Sequence, residues 1–196
     1  MSRLADTILH ELESAGGNRK LTVGVLFQGH SPVVQRIAAA GHRTIVIGER
    51  FRILYRVYKE TEKANSTKPL MLEAHFDALP IRPGSLDALV LSQGLPSAEM
   101  PGEALVQLRS YLKDSGLLIW PHQVTDGIGG TFGRLFSPYR GGTFRAVSRD
   151  RLCTLAMASG FSEIGQTLLK RKLIPWAITT GLAAQRPWEK ASAKNL

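Results

Sequence analysis

The hydrophobic positions of this chain switch between helical and strand periods, and the switching predicts its elements. Leu4, Ile8, Leu9 and Leu12 recur at helical spacing until Gly16-Gly17-Asn18 stops the helix. Leu21–Phe27 is a short, nearly all-apolar run, the pattern of a strand covered by helices on both faces. Ser31 as N-cap and Pro32 in the first turn open a helix over Val33–Ala40, which Gly41 closes. Thr44–Ile47 reads as a second buried strand. Phe51–Ala64 reads as a helix with Phe51, Leu54, Tyr55 and Tyr58 on one face. A loop over Asn65–Pro69 leads into a third strand at Leu70–Leu72.

The alternation continues through a Pro83-Gly84-Ser85 turn into a strand at Leu86–Leu91 and a helix from about Glu99 to Lys113. An Asp114-Ser115-Gly116 turn then enters a strand at Leu117–Trp120. Strands alternating with helices predict an α/β domain built on a mostly parallel sheet. After Trp120 the pattern changes. Glycine-rich, basic chain runs to Gly142, Ser148 caps a helix over Arg149–Ser159, and Gly160 stops it. Two strand-like runs follow, Phe161–Leu169 and Leu173–Gln185. The second is expected at a sheet edge, with Pro175 in the Ile174-Pro-Trp176 stretch protecting that edge.

The wording of these elements resembles one family. The run from Ala74 to Trp120 holds Leu79-Pro80-Ile81, then Pro83-Gly84-Ser85, a buried strand, a helix and a further apolar strand. It is similar to the second half of the class I S-adenosylmethionine-dependent methyltransferases, with their "LPF…GSFD" strand entry and a helix ending near "L+PGG". Phe144–Ile164, FRAVSRDRLCTLAMASGFSEI, resembles the last helix of that family and its antiparallel strand pair. The resemblance covers about residues 4–186. It implies a three-layer, doubly wound, mostly parallel seven-stranded sheet (a Rossmann-like methyltransferase fold) with a C-terminal antiparallel strand pair. The implied organisation is a single domain over 1–186, a flexible basic lid at 130–147 and a disordered tail at 187–196.

It also implies S-adenosylmethionine as cofactor, and a site for it. Doubly wound sheets bind ligands beyond the carboxyl ends of their strands, where strand order reverses. In the family, the first strand carries an acid and ends in a G-x-G-x-G loop. Here Val25 falls on the acid, and Phe27, Gly29 and Ser31 fall on the three glycines. Gly48 stands where an acid meets the ribose hydroxyls, with Glu49 one position on as its substitute. His75 aligns with the acid that meets the adenine amine, and Phe76 and Asp77 follow it. Ser92 and Gln93 close the site after the fourth strand. His122, just after the fifth strand, is placed to act as a base toward an acceptor, while a capping role for local backbone is the plainer alternative. Phe132, Arg134, Tyr139, Arg140 and Arg145 interleave rings with guanidinium groups where the family builds its acceptor-covering lid.

Composition refines this picture. At 196 residues with 43% hydrophobic content the chain can bury a full core without metals or disulfides. The single cysteine, Cys153, is expected as a small buried hydrophobe on its helix, and a cytoplasmic setting is expected with it. No run reaches the roughly 18 apolar residues a membrane span needs. The five histidines show no metal-binding spacing, so no metal is expected; His10 and His42 are expected in solvated or capping roles. Charge is uneven. Residues 1–129 carry 14 Lys/Arg against 13 Asp/Glu, whereas residues 130–196 carry 11 against 3.

Two functions follow. One is methyl transfer to a small-molecule acceptor. The other is a methyltransferase-fold protein without catalysis that holds an anionic partner (nucleic acid, a phosphate ligand or a protein) through its basic C-terminal third. A dinucleotide-binding dehydrogenase is disfavoured, because no G-x-G-x-x-G follows Phe27.

Overall fold

The computed structural model describes residues 2–27, 31–64, 67–75, 78–92, 101–123, 148–169 and 176–184. Among the described residues, twelve elements run in the order α1 (Ser2–Gly16), β1 (Thr22–Leu26), α2 (Ser31–Ala39), β2 (Arg43–Gly48), α3 (Phe51–Lys63), β3 (Leu70–Glu73), β4 (Leu86–Leu91), α4 (Pro101–Tyr111), β5 (Leu112–Gln123), α5 (Arg149–Ala158), β6 (Phe161–Leu169) and β7 (Trp176–Ala183). The seven strands form one sheet in the order β3-β2-β1-β4-β5-β7-β6. β1 to β5 pair in parallel. β7 runs antiparallel to both β5 and β6. Strand order reverses between β1 and β4, which puts the expected ligand crevice above their carboxyl ends.

Two apolar layers sandwich the sheet. Side chains alternate along β1, so Val23, Val25 and Phe27 pack with Leu4, Ile8, Leu12, Val33, Val34, Ile37, Leu54 and Val57 of α1, α2 and α3. On the opposite face Leu26, Leu89, Leu91, Leu118 and Trp120 meet Leu105, Leu108, Leu152 and Ala156 of α4 and α5. Gly24 lets β1 lie close under that second layer: a Cβ there would sit 2.9 Å from both Leu86 Cδ1 and Leu89 Cδ1. Ionic contacts clasp the amino ends of the strands. Asp87, half-buried at the start of β4, accepts from the Thr22 N–H at 2.8 Å and from Lys113 Nζ at 2.9 Å, with Arg19 3.5 Å away. Behind α5, Gly160 turns with φ +85°, and its carbonyl accepts from Arg109 Nε at 2.8 Å.

Several expectations are corrected. The buried face of α3 is Leu54, Val57 and Thr61, while Phe51 and Tyr55 lie on its solvent side. Both stripes have helical spacing, and the aliphatic one seats more closely on the sheet layer. β7 is an interior strand, and β6 takes the edge. The expected turn at Asp114–Gly116 lies inside β5, which starts at Leu112; Ser115 adopts φ 60° there, and the pairing with β4 slips between Leu86 and Ala88. Of the two roles expected for His42, the solvated one is excluded and the capping one holds, since the residue is buried and its Nδ1 accepts from the Leu21 N–H at 3.2 Å. Cys153 is only partly buried. Ser148 stands at the N-cap of α5 without a side-chain capping bond. Pro175 and the expected tail lie outside the described residues, as does the expected lid at 130–147.

Candidate cofactor-binding site

The site is built where the parallel strands end. The Phe27 N–H donates to the Ile47 carbonyl at 2.7 Å, and the Ser92 N–H donates to the Leu26 carbonyl at 3.0 Å. The tips of β2, β1 and β4 are thus held side by side, one residue past their ladders. The Ala74 N–H reaches the Gly48 carbonyl at 3.1 Å and adds β3 to the row. Phe27, Gly48, Glu49, His75 and Ser92, five residues named from the sequence, therefore stand on neighbouring strand ends.

Phe27 continues the alternation of Val23 and Val25, so its ring enters the core layer beneath α2 and α3 and is 5% exposed. The bulky residue at the first glycine position is thus accommodated in the core layer. Val25, at the acid position, is fully buried in the same layer.

Gly48 has a packing reason of its own. A Cβ at this position would lie 3.2 Å from Leu54 Cδ2 and 3.3 Å from the Phe27 carbonyl oxygen. Space at Gly48 is thus limited by the Leu54 side chain and by the backbone just after β1. A carboxylate, Glu49, follows Gly48 in the chain. The Glu49 side chain is 53% exposed, with Oε1 3.7 Å from His75 Nδ1, whose side chain is 79% exposed. This pair spans the tips of β2 and β3 and becomes an ion pair only when His75 is protonated.

Glu73, which sequence reasoning missed, fixes the approach. Its Oε1 accepts the Phe51 N–H at 3.1 Å and so caps α3 from the neighbouring strand, where Arg50 supplies no side-chain cap. The only hint in the sequence was the missing cap residue before Phe51.

His122 lies at the end of β5, beyond β4 from the row just described. It faces the α4 and α5 layer with Trp120, whose ring meets its imidazole edge-on at 5.8 Å. The imidazole is buried, and Nε2 lies 2.7 Å from Thr179 Oγ1. Gln166 Nε2 donates to the same hydroxyl at 3.1 Å and to the Arg149 carbonyl at 3.1 Å. The network ties β5, β7, β6 and the start of α5 into one unit. Ser31 opens α2. Gly29, Phe76, Asp77, Gln93, Phe132, Arg134, Tyr139, Arg140 and Arg145 lie outside the described residues.

Among the described residues, no group of three His, Cys, Asp or Glu side chains could hold a metal ion, and no helix is long and apolar enough to cross a membrane.

No family model matches the sequence, and neither does any curated protein. Solved structures do match in fold. A Bacillus halodurans protein of proposed methyltransferase activity superposes with a TM-score of 0.73 at 10% identity, over 91% of this chain and 100% of that one. Magnesium protoporphyrin IX methyltransferase from Synechocystis, solved with S-adenosylhomocysteine bound, gives 0.72 at 14%, over 93% and 83%. The S-adenosylmethionine-dependent methyltransferase SibL gives 0.73 at 17%, over 94% of this chain and 56% of its own. At such identities the fold is what is shared. The chain has the Rossmann-like fold of S-adenosylmethionine-dependent methyltransferases, seven strands with the antiparallel pair included.

Proposed function

We propose that the protein binds S-adenosylmethionine above the tips of β1, β2 and β4 and transfers its methyl group to a small-molecule acceptor. One observation carries this reading. Phe27 turns into the core at the switch point between β1 and β4, and an exposed acid, Glu49, follows the neighbouring end of β2. When bound, the cofactor supplies an electrophilic methyl on a sulfonium, which needs alignment of the acceptor more than covalent help from the protein. Glu49 suits the ribose hydroxyls as a hydrogen-bond acceptor. His75 beside it suits the edge of the base, with Phe76 and Asp77 following in the chain. Residues 27–31, with Ser92 and Gln93, would bound the methionyl part.

The buried bond to Thr179 suits His122 to holding β5 against β7 and α5, a positioning role; the base role remains the alternative. Phe132, Arg134, Tyr139, Arg140 and Arg145 complete the reading as the acceptor cover. The single domain over 1–186 is part of the same proposal.

The second reading, a non-catalytic protein that binds an anionic partner through its basic C-terminal third, draws on Phe27, Val25 and Gly48 standing at cofactor positions of the family and on the 11 Lys/Arg against 3 Asp/Glu of residues 130–196. Isothermal titration with S-adenosylmethionine and S-adenosylhomocysteine separates the two. Saturable heat below millimolar ligand supports the first. Its absence at millimolar ligand leaves only the second.

A further inference from the structure

The solvent face of α3 carries a feature that the cofactor site does not use. Phe51 and Tyr55 stack on each other with centroids 5.9 Å apart and planes 23° apart, yet they stay 64% and 50% exposed. Arg52 and Arg56 stand one residue on at the same i, i+4 spacing, both exposed, about 6 Å apart along the axis. Among the described residues neither forms an ion pair. Lys59 Nζ lies 5.8 Å from the Tyr55 ring centre and 6.0 Å from that of Tyr58, and Lys68 Nζ lies 6.0 Å from Tyr58. Residues 50–68 hold six Lys/Arg against two acids, a net of +4, and one of those acids, Glu62, already pairs with both Lys59 and Lys68.

We propose that this face binds single-stranded nucleic acid. Exposed ring faces next to unpaired guanidinium groups match unstacked bases joined by phosphates, since bases stack on aromatic side chains while cations follow the backbone. A duplex offers the phosphates but keeps its base faces inside the stack. An anionic membrane would need a helix free to sink its apolar side, whereas the apolar side of α3 is already spent on Leu54, Val57 and the core. The strip starts two residues after Glu49, so a bound strand would run beside β3 toward the strand tips. The inference does not depend on methyl transfer.

Fluorescence anisotropy with labelled oligo(U) and oligo(dT) of about 12 nucleotides, on the whole chain and without cofactor, tests it. The expected result is binding at about 50 mM salt that weakens by about 200 mM. The pair Phe51→Ala and Tyr55→Ala is expected to weaken it by at least about fivefold. The pair Arg52→Gln and Arg56→Gln should shrink the slope of log affinity against log salt by about 1.4, for two phosphates on a single strand. Circular dichroism melts should show both variants folded. The proposal is overturned by no binding at 50 mM salt, by equal binding of a duplex of the same length, by affinity indifferent to both variants, or by binding confined to phosphatidylserine vesicles.

Discussion

Putting the family's acid back at Gly48 is expected to damage this protein. A Cβ there would press on Leu54 Cδ2 at 3.2 Å and on the Phe27 carbonyl oxygen at 3.3 Å. The leucine methyl can turn aside, whereas the carbonyl is backbone on a residue whose N–H is tied to the Ile47 carbonyl at 2.7 Å, so relief there needs the chain after β1 to shift. Gly48→Ala should cost about 1 kcal/mol, within the usual range for overpacking. Gly48→Asp adds a charge beside a carbonyl oxygen and should cost about 2–3 kcal/mol. For a domain of this length that lowers Tm by roughly 5–10 °C. Glu49→Ala removes an exposed side chain, so Tm should shift by no more than about 2 °C. Loss of a charge-assisted hydrogen bond to a ribose should nevertheless weaken cofactor affinity about tenfold or more. Thermal melts and titration calorimetry on the three variants read both quantities. If Gly48→Asp melts like the wild type and binds the cofactor more tightly, the reasoning about this strand tip is wrong.

Other outcomes follow from the packing. Gly24→Ala places a methyl 2.9 Å from two leucine methyl groups beneath the central strand, and urea titration should show a loss of about 1–3 kcal/mol. Burial first, and the Lys20 charge second, push the His42 pKa below its ordinary value, with Glu13 opposing. The unfolded chain therefore takes up a proton that the folded one refuses. Stability should fall as pH drops below about 6.5, by up to about 1.4 kcal/mol per pH unit until the folded pKa is reached, and His42→Gln should flatten that slope in pH-dependent melts. Asp87 acts in a lower window. Burial alone would raise its pKa, but hydrogen bonds from Lys113 and the Thr22 N–H, with the Lys113 and Arg19 charges, hold it below the usual value. Its contribution is present at neutral pH and is lost as pH falls through that depressed value; Asp87→Asn should remove this acid-side transition. His122→Gln should destabilise by about 1–3 kcal/mol through its lost bond to Thr179 while leaving cofactor affinity within about twofold, as calorimetry would read.

The sheet was legible because strands covered on both faces read as unbroken apolar runs: Leu21–Phe27, Thr44–Ile47 and Leu86–Leu91 all sit where their patterns put them. What stayed hidden depends on contacts between distant residues. Periodicity grouped Leu54 with Phe51, Tyr55 and Tyr58 on α3, whereas the buried face pairs it with Val57 and Thr61; both stripes have helical spacing, and only the partner layer distinguishes them. Nor could periodicity place β7 inside β6, because strand order leaves no local trace. The direction of the Phe27 ring follows from alternation along β1 and was readable in principle. The tight packing around Gly48 was not, because part of it comes from a carbonyl twenty-one residues away. The cap from Glu73 to Phe51 spans twenty-two residues and has the same character.

The most direct measurement is a crystal structure with S-adenosylhomocysteine at millimolar concentration. The account predicts density above the tips of β1, β2 and β4, with the ribose hydroxyls on the Glu49 carboxylate and the Phe27 ring still in the core. Density at any other place, or an unchanged apo structure at saturating ligand, would contradict it.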